Sequence, residues 1–251
     1  MKINEVLTPK LPVYRKTIQS LGEWETIRDS GEYDKTKIVG SLNMNNQGIK
    51  VLKGLPSKIG KEFGCSSNYL ISLQGCPDVI NDFNCSYNKL ISLEGGPSKI
   101  FGDYLAHGNK LTSLKGSPIE IPGDFSCEGN ELINLIGAPR KVLGTFNCYQ
   151  NQLITLEGAP EYIGGGFYCR TNNLSSLQNI HKIIKHAPKL GFGSNPIKSH
   201  VLGILLIDGI ENVFGDQSWL RIINNHIHGD KDVLECQEEM ISAGYKAFAK
   251  L

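Results

Sequence analysis

Phe83-Asn84-Cys85-Ser86-Tyr87-Asn88-Lys89-Leu90-Ile91-Ser92-Leu93-Glu94-Gly95-Gly96-Pro97 is one instance of a phrase that returns through most of the chain. It recurs as Phe125, Asn130, Leu132, Leu135, Gly137 and Pro139, and again as Phe146, Asn151, Leu153, Leu156, Gly158 and Pro160. Aligned on the leading apolar residue, the units begin at Leu42, Phe63, Phe83, Tyr104, Phe125, Phe146, Phe167 and Leu190, at spacings of 21, 20, 21, 21, 21, 21 and 23 residues. A fixed short period predicts a solenoid of about eight coils over 38–200, with an N-terminal cap over 1–37 and a C-terminal helical cap or docking segment over 201–251.

Within each unit the pattern is Phe-x-Cys-x-x-Asn-x-Leu-x-x-Leu-x-Gly-x-Pro. It resembles the leucine-rich repeat, in the short bacterial type found in secreted effectors that carry a ubiquitin-ligase domain. It is still more similar to repeat arrays encoded by tailed bacteriophages, in which Gly-Ala-Pro recurs as it does at Gly137–Pro139 and Gly158–Pro160. The resemblance implies a leucine-rich-repeat-like solenoid, with short parallel strands on a concave face and extended or 3₁₀ backbone on the convex side. It also implies a non-enzymatic module that binds a host or phage protein, with inhibition of host defence as the specific role and the infected host's cytoplasm as the location.

Each column has a physical reading. Strand residues alternate sides, so an inward Phe83 puts Cys85 inward and Asp82 and Asn84 outward. The asparagine five residues after the aromatic is expected to turn the chain and to bond the backbone of the neighbouring coil, because unpaired buried peptide groups are costly. Gly-x-Pro predicts a tight return with little helix. Five of the seven cysteines share one column, no Cys-x-x-Cys occurs, and free cysteine packs as a small apolar group, so no metal and no cofactor are expected.

Function is then sought in the columns that vary. Just before the inward aromatics stand Glu62, Asp82, Asp103 and Asp124, four acidic residues on neighbouring strands. Further along the same face come His107, Glu128, Tyr149, Tyr168 and Arg170. The acidic run reads either as a contact face for a basic protein segment or as turn capping in Gly-Asp-Phe. Tyr and Arg suit interface anchors.

Composition sets the outer limits. A chain of 251 residues with 20% charged residues and a formal net charge of +1 projects no global field toward nucleic acid or a membrane. The longest apolar run, Val201–Ile207, is seven residues, too short to span a bilayer, and Met1–Lys10 lacks the apolar stretch of a secretory signal. The N-terminal segment contains two strand-like pieces, Lys10–Arg15 and Glu23–Arg28. Two helices are expected near the other end, over 217–227 and from Asp230 onward, the latter with Leu234, Ile241, Tyr245 and Phe248 on one face.

Enzyme motifs are missing from the sequence, and Cys236 is followed by Gln237-Glu238 rather than by the arrangement of the ligase effectors. His226 and His228, two residues apart, do not share a helix face. A catalytic C-terminal segment remains one alternative, and a structural or self-assembling protein joined through its end coils is another.

Overall fold

The computed structural model describes residues 11–79 and 81–251. Met1–Lys10, over which the sequence predicts no secretory signal, lie outside the described residues. The chain is a parallel β-solenoid of about eight turns with few helices.

Each unit contributes its leading aromatic and the next residue to one long sheet. The strands run in sequence order from Leu42–Asn43 through Phe63–Gly64, Phe83–Asn84, Tyr104–Leu105, Phe125–Ser126, Phe146–Asn147 and Phe167–Tyr168 to Lys189–Gly191. Every pair is parallel and in register, aromatic over aromatic from Phe63 to Phe167, with Leu42 and Leu190 taking the place of the aromatic at the two ends. The return side of the coil is extended too. Lys37–Ile38, Lys58–Ile59 and Asp78–Val79 form one three-stranded sheet, and Glu120–Ile121, Lys141–Val142 and Tyr162–Ile163 form another.

The repeat columns explain this stacking. Phe63, Phe83, Tyr104, Phe125, Phe146 and Phe167 are buried in a continuous pile with ring centroids 5.0–5.8 Å apart. Burial of each such ring stabilises the fold by about 1.5–3 kcal/mol, with aromatic pairing adding roughly 0.5–1.5. Beside them Cys65, Cys85, Cys127, Cys148 and Cys169 are fully buried and unbridged. Burial pushes the Cys65, Cys85, Cys127 and Cys148 thiols up, so these side chains act as small apolar filler.

The asparagine column is a ladder of amides. Nδ2 of Asn130 donates to the carbonyls of Ala106 (3.2 Å) and Cys127 (2.9 Å), while its Oδ1 accepts from the amide of Leu111 (2.9 Å). Asn88, Asn109, Asn151, Asn172 and Asn195 repeat this pattern, each joining two coils. The residue before each asparagine of the column, and before Gln47 in the first coil, is left-handed, with φ between 53° and 65° from Asn46 to Ser194. Two of the eight are glycine, at 108 and 129; the other units hold a larger residue in that conformation.

One member of the aromatic column breaks the chemistry. The buried hydroxyl of Tyr104 has no hydrogen-bond partner among the described residues. Replacing an unpaired buried hydroxyl by hydrogen removes its desolvation cost, so Tyr104→Phe is expected to raise stability by about 1 kcal/mol. Urea denaturation of the two proteins checks this, a higher midpoint in the variant being the expected result.

The ends differ from the sequence reading in three ways. First, the long sheet continues past the eighth unit: Asn212–Phe214 pairs with Lys189–Gly191 as a ninth strand. That rung carries Ser218 where the other coils carry asparagine, which hid it. Second, Glu23–Arg28 is helical, not strand-like, and lies within α1 (Leu21–Ser30). The Ser20 hydroxyl accepts from the amide of Glu23, the Glu23 carboxylate accepts from the amide of Gln19 at 2.7 Å, and Gly31 closes the helix at φ 72°. This local capping outweighs the apolar alternation. Trp24 is buried against the first coil and donates from Nε1 to the Gly54 carbonyl at 2.9 Å. In the first strand-like piece Tyr14 bridges to Ile38, and just beyond it Ile18 bridges to Leu42.

Third, the last helix turns a different face inward. After the short α2 (Ile180–Ile183), α3 (Leu220–His228) and α4 (Val233–Ser242) pack over the final coil. Cys236 and Met240 are the buried residues of α4, whereas Leu234 and Ile241 are exposed. Tyr245 and Phe248 follow the helix and are half-buried.

The last edge of the sheet is finished by a side-chain amide and the first by the N-terminal segment, whose Ile18 backbone bridges Leu42. The Asn224 amide accepts from the Val213 N–H and donates to the Val213 carbonyl, both at 2.9 Å, in place of a tenth strand. At the other end Gln47 takes the asparagine position, reaches the carbonyls of Gln19 and Asn43, and accepts from the Leu21 amide at 2.9 Å. No helix among the described residues is long and apolar enough to cross a membrane.

Candidate functional site

The broad face of the nine-stranded sheet carries every residue singled out from the variable columns. Its first half is acidic, and the geometry of that run is structural. Asp82 Oδ1 accepts from the amide of Asp103 at 2.8 Å, Asp103 from that of Asp124 at 2.7 Å, and Asp124 from that of Thr145 at 2.7 Å. Each carboxylate thus satisfies an N–H of the next coil just ahead of its strand.

The glycine before each of these amides makes the bond possible. A Cβ at Gly102, Gly123 or Gly144 would stand 1.8, 2.2 or 2.2 Å from the carboxylate oxygen of Asp82, Asp103 or Asp124. Gly-Asp-Phe is therefore a two-coil device, glycine leaving the space that the previous coil's aspartate fills. Glu62 stands outside this ladder and is exposed.

The second oxygens of Asp103 and Asp124 are left for other partners. Asn81 donates to the second oxygen of Asp82 at 3.0 Å, and among the described residues no lysine or arginine forms an ion pair with Glu62, Asp82, Asp103 or Asp124. A shallow groove of about 710 Å³ opens over this end, lined by Glu62, Asp82 and Asp103 together with Asn43, Asn45 and Asn84.

Further along, the face changes character. His107 lies half-buried, with Nδ1 3.0 Å from the Ser86 hydroxyl and its ring edge-on to Tyr87 at 4.9 Å. Burial pulls its pKa down, partly offset by the Glu128 carboxylate. Glu128 accepts a hydrogen bond from Asn147, and its charge pushes the Tyr149 phenol up. The Arg170 guanidinium sits 5.8 Å from the centre of the Tyr149 ring.

Tyr168 lies over a floor of glycines. A Cβ at Gly166 would meet its ring at 2.9 Å and one at Gly191 at 2.7 Å. The Gly164-Gly165-Gly166 run is explained by close approach, since Gly164 would also place a Cβ 2.2 Å from the Leu143 carbonyl. The ninth strand then adds Phe214, 45% exposed and in register with Gly191 and Tyr168, to the same row. Its signal in the sequence was Val213, 23 residues after Leu190.

A second surface feature also escaped the sequence reading. Eight residues after the aromatic, Ile71, Ile91, Ile133 and Ile154 are 50–67% exposed. Thr112 and Ser175 hold the same position in other coils, so the backbone does not require isoleucine there.

The C-terminal histidines separate as helix geometry demands. His226 is buried with Nε2 2.9 Å from Glu239, whereas exposed His228 has Nε2 3.0 Å from the Glu211 carbonyl. Cys236 is buried, and burial pushes its thiol up to about 12. No known family model matches the chain, and no curated protein matches it.

Proposed function

We propose that the chain is a non-enzymatic protein-binding module whose contact surface is the broad sheet face, from Glu62 to Phe214. The observation that supports it is the change along one face, from carboxylates that have no cationic partner among the described residues to the aromatic side chains of Tyr149, Tyr168 and Phe214, with Arg170 over Tyr149. A matching partner presents basic groups at one end and an apolar or anionic group at the other. Aromatic rings held by their own scaffold lose little freedom on binding, which favours them as anchors.

In this reading the solenoid is of the short leucine-rich-repeat-like type seen in phage arrays, and the partner is a host protein met in the host cytoplasm. The repeat phrase supports that assignment. The exposed isoleucine column favours a second reading, association of copies side by side, which sedimentation at several concentrations distinguishes from host-protein binding.

The test is capture from host lysate with two variants. Asp82→Asn/Asp103→Asn/Asp124→Asn keeps the Oδ1 acceptors and removes the charge, so the fold is retained. Tyr168→Ser/Arg170→Ser removes the anchors. Loss of about 2 kcal/mol of binding, roughly thirtyfold in affinity, is expected from the second variant, and a smaller loss that fades at high salt from the first. Equal capture by both variants and the parent would overturn the assignment of the face.

A further inference from the structure

The helical hairpin at the C-terminus gathers donor groups that the binding face does not use. Its turn is short: α3 ends at His228 and α4 begins at Val233. Helical periodicity on both sides of such a turn brings the last turn of one helix against the first turns of the next. His226 comes from the first, Glu235 and Glu239 from the second, four residues apart on one face, and Asp230 from the loop between them.

The four residues form a dense, unevenly charged cluster. A ring nitrogen of His226 and carboxylate oxygens of Asp230 and Glu235 all lie within 4.8 Å of one another. His226 is the buried member, 8% exposed, and its orientation is set by the 2.9 Å contact between Nε2 and Glu239. Nδ1 has no protein hydrogen-bond partner among the described residues.

No lysine or arginine among the described residues pairs with these carboxylates. The nearest basic residue in sequence, Lys231, directs Nζ to the Ile210 carbonyl at 3.2 Å instead. Asp232 caps α4 by accepting from the amides of Leu234 and Glu235, and Asp230 accepts from the Asp232 amide at 3.0 Å through Oδ1, which leaves its other oxygen for a ligand. Three carboxylates around one imidazole repel one another, and a divalent cation removes that repulsion.

We propose that His226, Asp230 and Glu235 bind a divalent transition-metal ion, with Zn²⁺ the ion that the donor set fits best, and that Glu239 positions the imidazole. One imidazole and two carboxylates are ordinary zinc ligands, and a carboxylate on the second imidazole nitrogen is the usual orienting partner of a metal-bound histidine. Bonds of about 2.1 Å in tetrahedral geometry put donors roughly 3.4 Å apart, so atoms that now lie within 4.8 Å of one another have to close in by up to about 1.4 Å. Exposed Asp230 and Glu235 side chains can make that movement by rotation. Three protein ligands leave a fourth position for water or for a donor group of a partner.

The experiment is calorimetric titration of Zn²⁺ into the full chain in reducing, non-chelating buffer. Binding of one ion per chain with submicromolar affinity is expected. His226→Gln should weaken it at least a hundredfold, Asp230→Asn and Glu235→Gln at least tenfold each, and Glu239→Gln by about tenfold as a positioning residue. Substitution with Co²⁺ should give visible ligand-field absorption that depends on His226, without the intense thiolate bands that cysteine ligation would produce. Because Asp230 and Glu235 are exposed, their variants are expected to fold even if the buried His226 variant does not. Failure to bind one ion, or undiminished affinity in Asp230→Asn/Glu235→Gln with the parent's melting temperature, would overturn the assignment.

Discussion

Replacing Asn130 by alanine is expected to destabilise the fold by about 3 kcal/mol or more, far beyond what the lost side-chain volume would give. The Asn130 amide is the partner of the buried Leu111 N–H and a second donor to the carbonyls of Ala106 and Cys127, which also accept from Asn109 at 3.1 Å and Asn151 at 3.0 Å. Alanine leaves the Leu111 N–H unpaired in a site sealed from water, at about 1–3 kcal/mol, and removes two further hydrogen bonds worth about 0.5–1.5 kcal/mol each. Asn130→Asp should be no better, because it keeps the acceptor for Leu111 but faces two carbonyls with an anion. Urea denaturation followed by far-UV circular dichroism checks both. A shift under about 1 kcal/mol in either variant would mean that water enters the coil and replaces the ladder.

Gly116→Ala is expected to cost about 4 kcal/mol, combining two penalties at one methyl group. The glycine adopts φ +96°, a region alanine enters only with strain of about 1–3 kcal/mol. Its Cβ would also lie 2.4 Å from the Glu94 nitrogen and the Leu93 carbonyl carbon, backbone atoms of the preceding coil that cannot rotate away. Separating the coils to admit it loosens the bond from the Leu93 amide to the Lys115 carbonyl. Gly22→Ala in α1 is the matched control, with nothing within 4 Å of the added methyl, and it should leave stability unchanged or raise it by about 0.5–1 kcal/mol. Thermal melting of the pair reads the contrast, and similar midpoints for the two would refute the argument from close coil contact.

Much of the scaffold was legible because every repeated residue type answers a repeated physical need. Phe125 and Cys127 fill the interior, Asn130 bonds two coils, and Gly137 takes the φ +90° corner. What eluded sequence reading was whatever depends on contacts between distant parts of the chain. The strand at Asn212–Phe214 lacks the asparagine marker and pairs only because Leu190 offers an open edge. Residues Leu234 and Ile241 look like an inward face on a helical wheel, yet α3 and the final coil approach α4 from the side of Cys236 and Met240.

The face residues were found by column, and their roles were not. Sequence alone left Asp82, Asp103 and Asp124 suspended between contact and capping, and the carboxylate–amide bonds place one oxygen of each in the scaffold. The exposed isoleucines were missed because they sit in a column whose neighbouring positions, Leu90 and Leu93, are the buried ones.

Gln47 and Asn224 lend the molecule a property that no single coil has. Asn224 uses a side-chain amide to imitate the backbone of a coil that is not there, Gln47 ties the first coil to the segment that covers it at Gln19 and Leu21, and neither depends on how many coils lie between them. Since every interior unit meets its neighbours in the same register, duplication or deletion of one 21-residue unit changes the reach of the molecule and leaves both terminations intact. Length is thus an inheritable variable separate from foldability, and descendants of such a gene can match surfaces of different sizes by unequal crossing-over alone.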